Sequence, residues 1–241
     1  RDCGRSTRIE GRPPTVAQLL TRRIEPLHYS LGDMASDAAG LLAGIGVQSA
    51  HVVGASMGGM IAQTLAAQRP VVVRSLVSIM STTGNRRKGH PSPRVYRFLV
   101  GRAPQDRDAF VQYMVNVSDV IGSPGFPRDL ARVRDVAVRS HERGLSPAGS
   151  GRQLGAILAA GDRTEQLRQI TAPTLVIHGS ADRMVHRSGG AATAQAIAGA
   201  RLLMIDGLGH DLPRGAWPQV VGAIVSHVQA AERSGAGAPA G

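Results

Sequence analysis

His51-Val52-Val53-Gly54-Ala55-Ser56-Met57-Gly58-Gly59-Met60 is the stretch on which the fold reading turns. A β-branched run leads straight into a glycine-flanked serine, and an apolar helical pattern over Met60–Ala67 leads straight out. A strand at Ala50–Val53 and a helix at Gly58–Gln68 are therefore expected with almost nothing between them. So sharp a reversal tolerates no bulky side chain two positions either side of its apex, the need that Gly54 and Gly58 meet on this reading. The bare pattern G-x-S-x-G is weak in a chain with 30 glycines, so the flanking strand and helix carry the weight. In that setting Ser56 projects its hydroxyl above the sheet edge. The helix behind it aims free N–H groups and its positive end at the same spot. The N–H of Met57 then becomes a donor for an oxyanion.

Outward from this turn, three further short aliphatic runs read as buried strands: Arg74–Ile79, Thr174–His178 and Arg201–Ile205. Helical periodicity fills the intervals. Ser30–Ile45 sets Leu31, Met34, Ala38, Leu41, Leu42 and Ile45 on one face, and Ala191–Ile197 and Trp217–Ala231 read as later helices. Alternating strands and helices predict an α/β fold, a mostly parallel sheet with helices on both faces. The alternation breaks once. Residues 85–169 carry helical patterns (Val95–Val100, Arg107–Ile121, Arg128–Arg143, Ser150–Ala160) and no convincing strand, with prolines between them. The organisation is thus core over 1–84, a helical insertion over 85–169, core again over 170–232, and a disordered Gly/Ala/Pro tail over 233–241.

H-V-V-G-A-S-M-G-G-M resembles the nucleophile elbow of the α/β-hydrolase superfamily, particularly its esterase and aclacinomycin-methylesterase-like branch. The resemblance implies a catalytic triad completed by an acid and then a histidine, each just beyond a strand. Gly179-Ser180-Ala181-Asp182-Arg183-Met184-Val185, after the third strand, is similar to the family's G-x-x-D-x-x-V segment and makes Asp182 the acid. Asp206-Gly207-Leu208-Gly209-His210-Asp211, after the fourth, makes His210 the general base. Asp206 and Asp211 are rival acids, but neighbours in the chain seldom reach Nδ1, and Asp206 reads as the end of its strand. His51 reads as a buried strand residue. His178 either lines the site or packs, with packing favoured. The remaining histidines have no constellation around them.

The resemblance also implies that the insertion is a cap that roofs the site and selects the substrate. Tyr96, Phe98, Phe110, Tyr113, Met114 and Phe126 belong to it, mostly as its own packing, with one or two facing the pocket. Arg1-Asp2-Cys3-Gly4-Arg5-Ser6 resembles the family's R-G-x-G-x-S-like stretch, which follows the fourth strand of the full fold. On that match the first strands are missing from this chain, together with the His-Gly loop that gives the second oxyanion donor. The expectation is of a longer natural protein. The reaction implied is hydrolysis of a small-molecule carboxylic ester through an acyl-enzyme. A peptidase, lactonase or thioesterase with the same triad, or an inactive hydrolase-fold binding module, are the alternatives.

Composition narrows the rest. The formal charge is +11, nearly all from arginines scattered along the chain, with Lys88 the only lysine and Arg86-Arg87-Lys88 the one dense cluster. Aromatics are only 3%, which leaves few stacking platforms for bases, so a solvated arginine-rich surface is expected and no nucleic-acid partner. No apolar run approaches the roughly 20 residues a bilayer needs, and Arg1–Pro14 has no apolar core of a leader. The single cysteine, Cys3, excludes an internal disulfide and suits a reducing compartment, the cytoplasm. No His pair has metal-ligand spacing, so neither metal nor cofactor is expected.

Overall fold

The computed structural model describes residues 1–101 and 103–235. Its centre is a parallel sheet of four strands: β1 (Ala50–Ala55), β2 (Val73–Ile79), β3 (Thr174–Gly179) and β4 (Arg201–Ile205), hydrogen-bonded in that order. Each lies where the sequence places a strand. Val52 stands opposite Leu76, Leu76 opposite Thr174, and Ile177 opposite Leu203. The middle pair, β2 and β3, is buried almost throughout, which is why both read as near-continuous apolar runs.

Ten α-helices accompany the strands among the described residues: α1 (Val16–Thr21), α2 (Leu31–Gly44), α3 (Met57–Gln68), α4 (Pro93–Val100), α5 (Arg107–Ile121), α6 (Leu130–Glu142), α7 (Pro147–Ala160), α8 (Thr164–Leu167), α9 (Ser188–Ala196) and α10 (Trp217–Arg233). Strand pleating divides the core between two layers, because successive residues point to opposite faces. Leu76 packs with Ala62, Leu65, Leu167 and Ile197, on the face covered by α2, α3, α8 and α9. Val77 and Ile79 pack with Ile177, Ile205, Ala216 and Val220, on the face covered by α10.

α2 starts in a reciprocal cap. The Ser30 hydroxyl accepts from the Asp33 N–H, and the Asp33 carboxylate accepts from the Ser30 N–H. Its apolar face is shorter than the periodicity suggests. Leu31 and Met34 are buried, yet Leu41 and Ile45 are 65% and 64% exposed. The cluster that buries α2 takes in Ala35, Ala38 and Ala39 and nothing beyond them.

Between β2 and β3 the chain forms α4 to α8 and, among the described residues, no strand. This assembly is fastened to the core where it returns. Arg163 is buried and donates to the carbonyls of Met60 and Thr82 and to Gln63 Oε1, at 3.2, 2.6 and 2.9 Å. Burial, opposed by nearby Asp162, pushes its guanidinium down to about 10. The N-terminal segment is fastened too. The buried Asp2 carboxylate accepts from Arg152 Nε and Nη2 of α7 at 2.8 and 2.7 Å, from Tyr29 Oη at 2.9 Å, and from the Ile9 N–H at 2.9 Å. At the other end α10 continues through Arg233, which shortens the expected tail, and positions 236–241 lie outside the described residues.

Candidate active site

Ser56 sits between β1 and α3 with φ 53° and ψ −120°, in a region L-residues rarely occupy. Its N–H still donates to the Ile79 carbonyl at 2.9 Å, so the β1–β2 ladder reaches the turn itself. The two flanking glycines are not equivalent. A Cβ on Gly54 would stand 2.2 Å from the Gly58 carbonyl oxygen, whereas a Cβ on Gly58 would meet nothing within 4 Å. The second steric need falls one residue later, at Gly59, where a Cβ would lie 2.6 Å from Ser81 Cβ. Gly58 is therefore not required for space. The chain reverses with position 58 facing outward on the first turn of α3 while Gly59 faces the end of β2.

The N–H of Met57 opens α3 and has no acceptor among the described residues, as the geometry of a helix start dictates. It points from the same helix end that presents Ser56.

Three loops at the carboxyl ends of the strands bring the predicted trio together. His210 Nε2 lies 2.9 Å from Ser56 Oγ, and His210 Nδ1 lies 2.8 Å from Asp182 Oδ2. The carboxylate beside Nδ1 fixes the proton there, leaving Nε2 free to accept from the serine hydroxyl. The Asp182 side chain is wholly buried and that of His210 is 9% exposed. Asp182 also serves its own turn, since Oδ1 accepts from the N–H groups of Met184 and Val185 at 2.9 and 2.8 Å. One oxygen thus holds the loop and the other faces the imidazole.

The rivals fall elsewhere. Asp206 accepts from Ser180 Oγ, and Asp211 from Ser123 Oγ. His51 is half-buried rather than buried, because β1 is an outer strand of the described sheet. Its nitrogens meet Ser75 Oγ and Glu232 Oε1. His178 stands behind Asp182 with no exposure at all. Its Nε2–H donates to the Val185 carbonyl at 2.8 Å and is 3.5 Å from Asp182 Oδ2, and its Nδ1 has no partner. Burial holds it below the usual imidazole value, the Val185 carbonyl and Asp182 opposing. Among the described residues no three His, Cys, Asp or Glu side chains gather as a metal would need, and no helix is long and apolar enough to cross a membrane.

Beside Met57 opens a cavity of about 620 Å³ beneath α4, α5 and α7. Phe98, Phe110, Tyr113 and Met114 line it, and Phe110 and Met114 also pack in the insertion's own apolar cluster with Val111 and Ala137. Tyr96 is instead 46% exposed, and Phe126 packs against the sheet core. Pro13, Pro14 and Val16 form another wall, which the sequence alone does not reveal, since only tertiary packing carries the N-terminal segment to α7. Among the described residues no charged side chain lines this cavity.

The comparisons agree with this architecture. Rhodomycin D methylesterase DnrP of Streptomyces peucetius is 26% identical over 253 residues, covering 96% of this chain and 80% of that protein. The bifunctional esterase/perhydrolase DCH of Acinetobacter calcoaceticus is 27% identical over 197 residues, covering 77% and 69%. Among solved structures, the meta-cleavage product hydrolase CumD of Pseudomonas fluorescens superposes with a TM-score of 0.68 at 19% identity, covering 87% of this chain and 75% of its own. The model of the alpha/beta hydrolase family matches residues 3–223. With a parallel sheet, a serine held at its strand-to-helix turn and nearly the whole length matched, the chain belongs to the alpha/beta hydrolase family.

Proposed function

We propose that the protein hydrolyses a carboxylic ester whose apolar portion fills the cavity beside Met57. The observation that carries this reading is the continuous hydrogen-bonded row from Ser56 Oγ through His210 to the buried Asp182. His210 Nε2 takes the hydroxyl proton as Ser56 Oγ attacks the ester carbonyl carbon, and Asp182 stabilises the imidazolium that forms. The Met57 N–H donates to the oxygen that gains charge. Collapse of the tetrahedral species breaks the bond to the alcohol, which leaves with the proton from His210. A water molecule, deprotonated by the same nitrogen, then attacks the acyl-serine and frees the acid and Ser56. Gly54 supports this chemistry by letting the turn close, and the helices α4 to α8 act as a cap that selects the substrate.

The relatives named as a methylesterase and an esterase/perhydrolase support an ester over an amide. The described part of the lining is uncharged and favours a neutral apolar acyl or alcohol group, because a buried charge without a partner is costly. An exposed, unpaired Cys3 is consistent with work in the cytoplasm. The test is labelling with a fluorophosphonate probe, expected on Ser56 and lost in Ser56→Ala. It is joined to turnover of p-nitrophenyl esters of rising chain length against lactones, thioesters and aminoacyl anilides. Turnover of the anilides alone would replace the esterase by a peptidase.

A further inference from the structure

The loop that carries His210 does not stand alone: it is sewn to the turn that follows α5. The His210 N–H donates to the Ile121 carbonyl at 2.7 Å, and the Gly125 N–H donates to the Gly207 carbonyl at 3.0 Å. Between them lies Ser123, 6% exposed. Its oxygen accepts from the Gly209 N–H at 2.8 Å while its proton goes to the Asp211 carboxylate. The backbones touch as closely as glycine permits. A Cβ on Gly209 would stand 2.4 Å from the Gly122 carbonyl oxygen, and one on Gly207 would stand 2.6 Å from Gly125 Cα.

We infer that Ser123, borne by the helical insertion, is a positioning residue for the catalytic base, holding His210 in register with Ser56 through Gly209 and Asp211. The inference rests on the triad reading above. Two bonds flank the histidine on its own backbone, at His210 and Gly209, and both acceptors belong to the insertion rather than to the sheet. On the sheet side the loop is held by Leu208, buried against Val77, Ile79 and Ile177, and by the acid loop, where the Ala181 N–H donates to the Leu208 carbonyl at 3.0 Å and the Gly207 N–H to Ser180 Oγ at 2.9 Å. Without Ser123 the segment between those anchors loses a buried acceptor, and the Gly209 N–H is left unsatisfied. The imidazole then swings relative to two partners it must meet at hydrogen-bond distance at once. Misplacement by an ångström costs about a hundredfold in such geometry. α5 also supplies Phe110, Tyr113 and Met114 to the cavity wall, so one helix touches the substrate's apolar part and anchors the base.

The test compares Ser123→Ala, Ser123→Thr and Asp211→Ala with the unaltered chain and with Ser56→Ala, using a p-nitrophenyl ester. Ser123→Ala is expected to lower kcat about tenfold with KM changed less than twofold, as loss of one well-placed bond does. The acid limb of its pH–rate profile is expected at lower pH, because a looser contact with Asp182 stabilises the imidazolium less. Ser123→Thr, which keeps the hydroxyl, restores both. Asp211→Ala, on an exposed loop, reads the same chain of bonds where Ser123→Ala folds poorly, and is expected to lose several-fold in kcat. An unchanged kcat and acid limb in Ser123→Ala, beside an inactive Ser56→Ala, overturns this inference alone. Full turnover by Ser56→Ala overturns the triad reading and the inference with it.

Discussion

The hydrogen that Gly54 carries in place of a Cβ faces the carbonyl oxygen of Gly58, only 2.2 Å from where that Cβ would be, while Gly58 itself faces open space. Two glycines that look alike in the sequence therefore do different work. Gly54→Ala forces β1 and the first turn of α3 apart and is expected to cost about 2–4 kcal/mol together with most activity. Gly58→Ala adds a helix-favouring residue at a roomy position and is expected to stabilise by about 0.5–1 kcal/mol. Urea unfolding of the two variants checks the contrast; equal losses would show that the turn is not packed as described.

Ser56 holds φ 53° against the preference of every residue with a Cβ. Ser56→Gly removes that strain and the proposed nucleophile together. The variant is expected to be inactive yet at least as stable as the unaltered chain, with a gain of about 1 kcal/mol. Thermal melting beside an activity assay reads both effects, and a lowered melting temperature would contradict it.

His178 gives the stability a defined pH dependence. Its folded pKa lies below its ordinary 6.5 because it is buried. The unfolded chain therefore binds the extra proton first as pH falls, so the stability His178 contributes is fully present above about 6.5 and is lost on acidification below it. His227, buried against the Pro173 carbonyl, acts in the same direction. Unfolding midpoints measured from pH 8 to 5 are expected to fall, and the fall to be shallower in His178→Gln. The same slope in both proteins would remove His178 from this account.

Asp2 and Arg152 join the N-terminal segment to α7 as a buried, bidentate ion pair with side-chain exposures of 0% and 5%. The guanidinium, then the Ile9 N–H and the Tyr29 hydroxyl, hold this carboxyl far below the usual range. Asp2→Asn strands the buried cation and is expected to destabilise by about 3–5 kcal/mol. Because Pro13, Pro14 and Val16 lean on the same join, KM for bulky esters is expected to rise as well. Calorimetry and steady-state kinetics on the variant measure the two consequences.

Phe98 meets Tyr113 edge to face, with ring centroids 5.7 Å apart, and both line the cavity. Phe98→Ala is expected to raise KM about tenfold for an aromatic or long-chain ester, the share of apolar contact a half-buried ring supplies. The turnover of an acetate ester, too short to reach the ring, is expected to stay within twofold. A uniform loss across the series would place Phe98 outside the specificity pocket.

Much was legible in the sequence, for reasons that differ from residue to residue. The strands announced themselves because β2 and β3 are covered on both faces, so almost every position had to be apolar. Ser56 stood out because it follows directly on a strand; Asp182 and His210, a few residues beyond β3 and β4, were picked out by what the resemblance implies, and the carboxyl ends of parallel strands share one edge. What the sequence by itself determined, then, was the alternation of elements and the three short loops that project chemistry from one side of the sheet. Tertiary structure decided the rest: that Gly59 and not Gly58 meets β2, that Ser123 braces the histidine loop, and that an N-terminal segment walls the cavity. Those relations join residues tens to more than a hundred positions apart through backbone approach and buried polar contact. Such contacts leave no periodic trace along the chain; only the folded packing, which sets which surfaces touch, brings them into being.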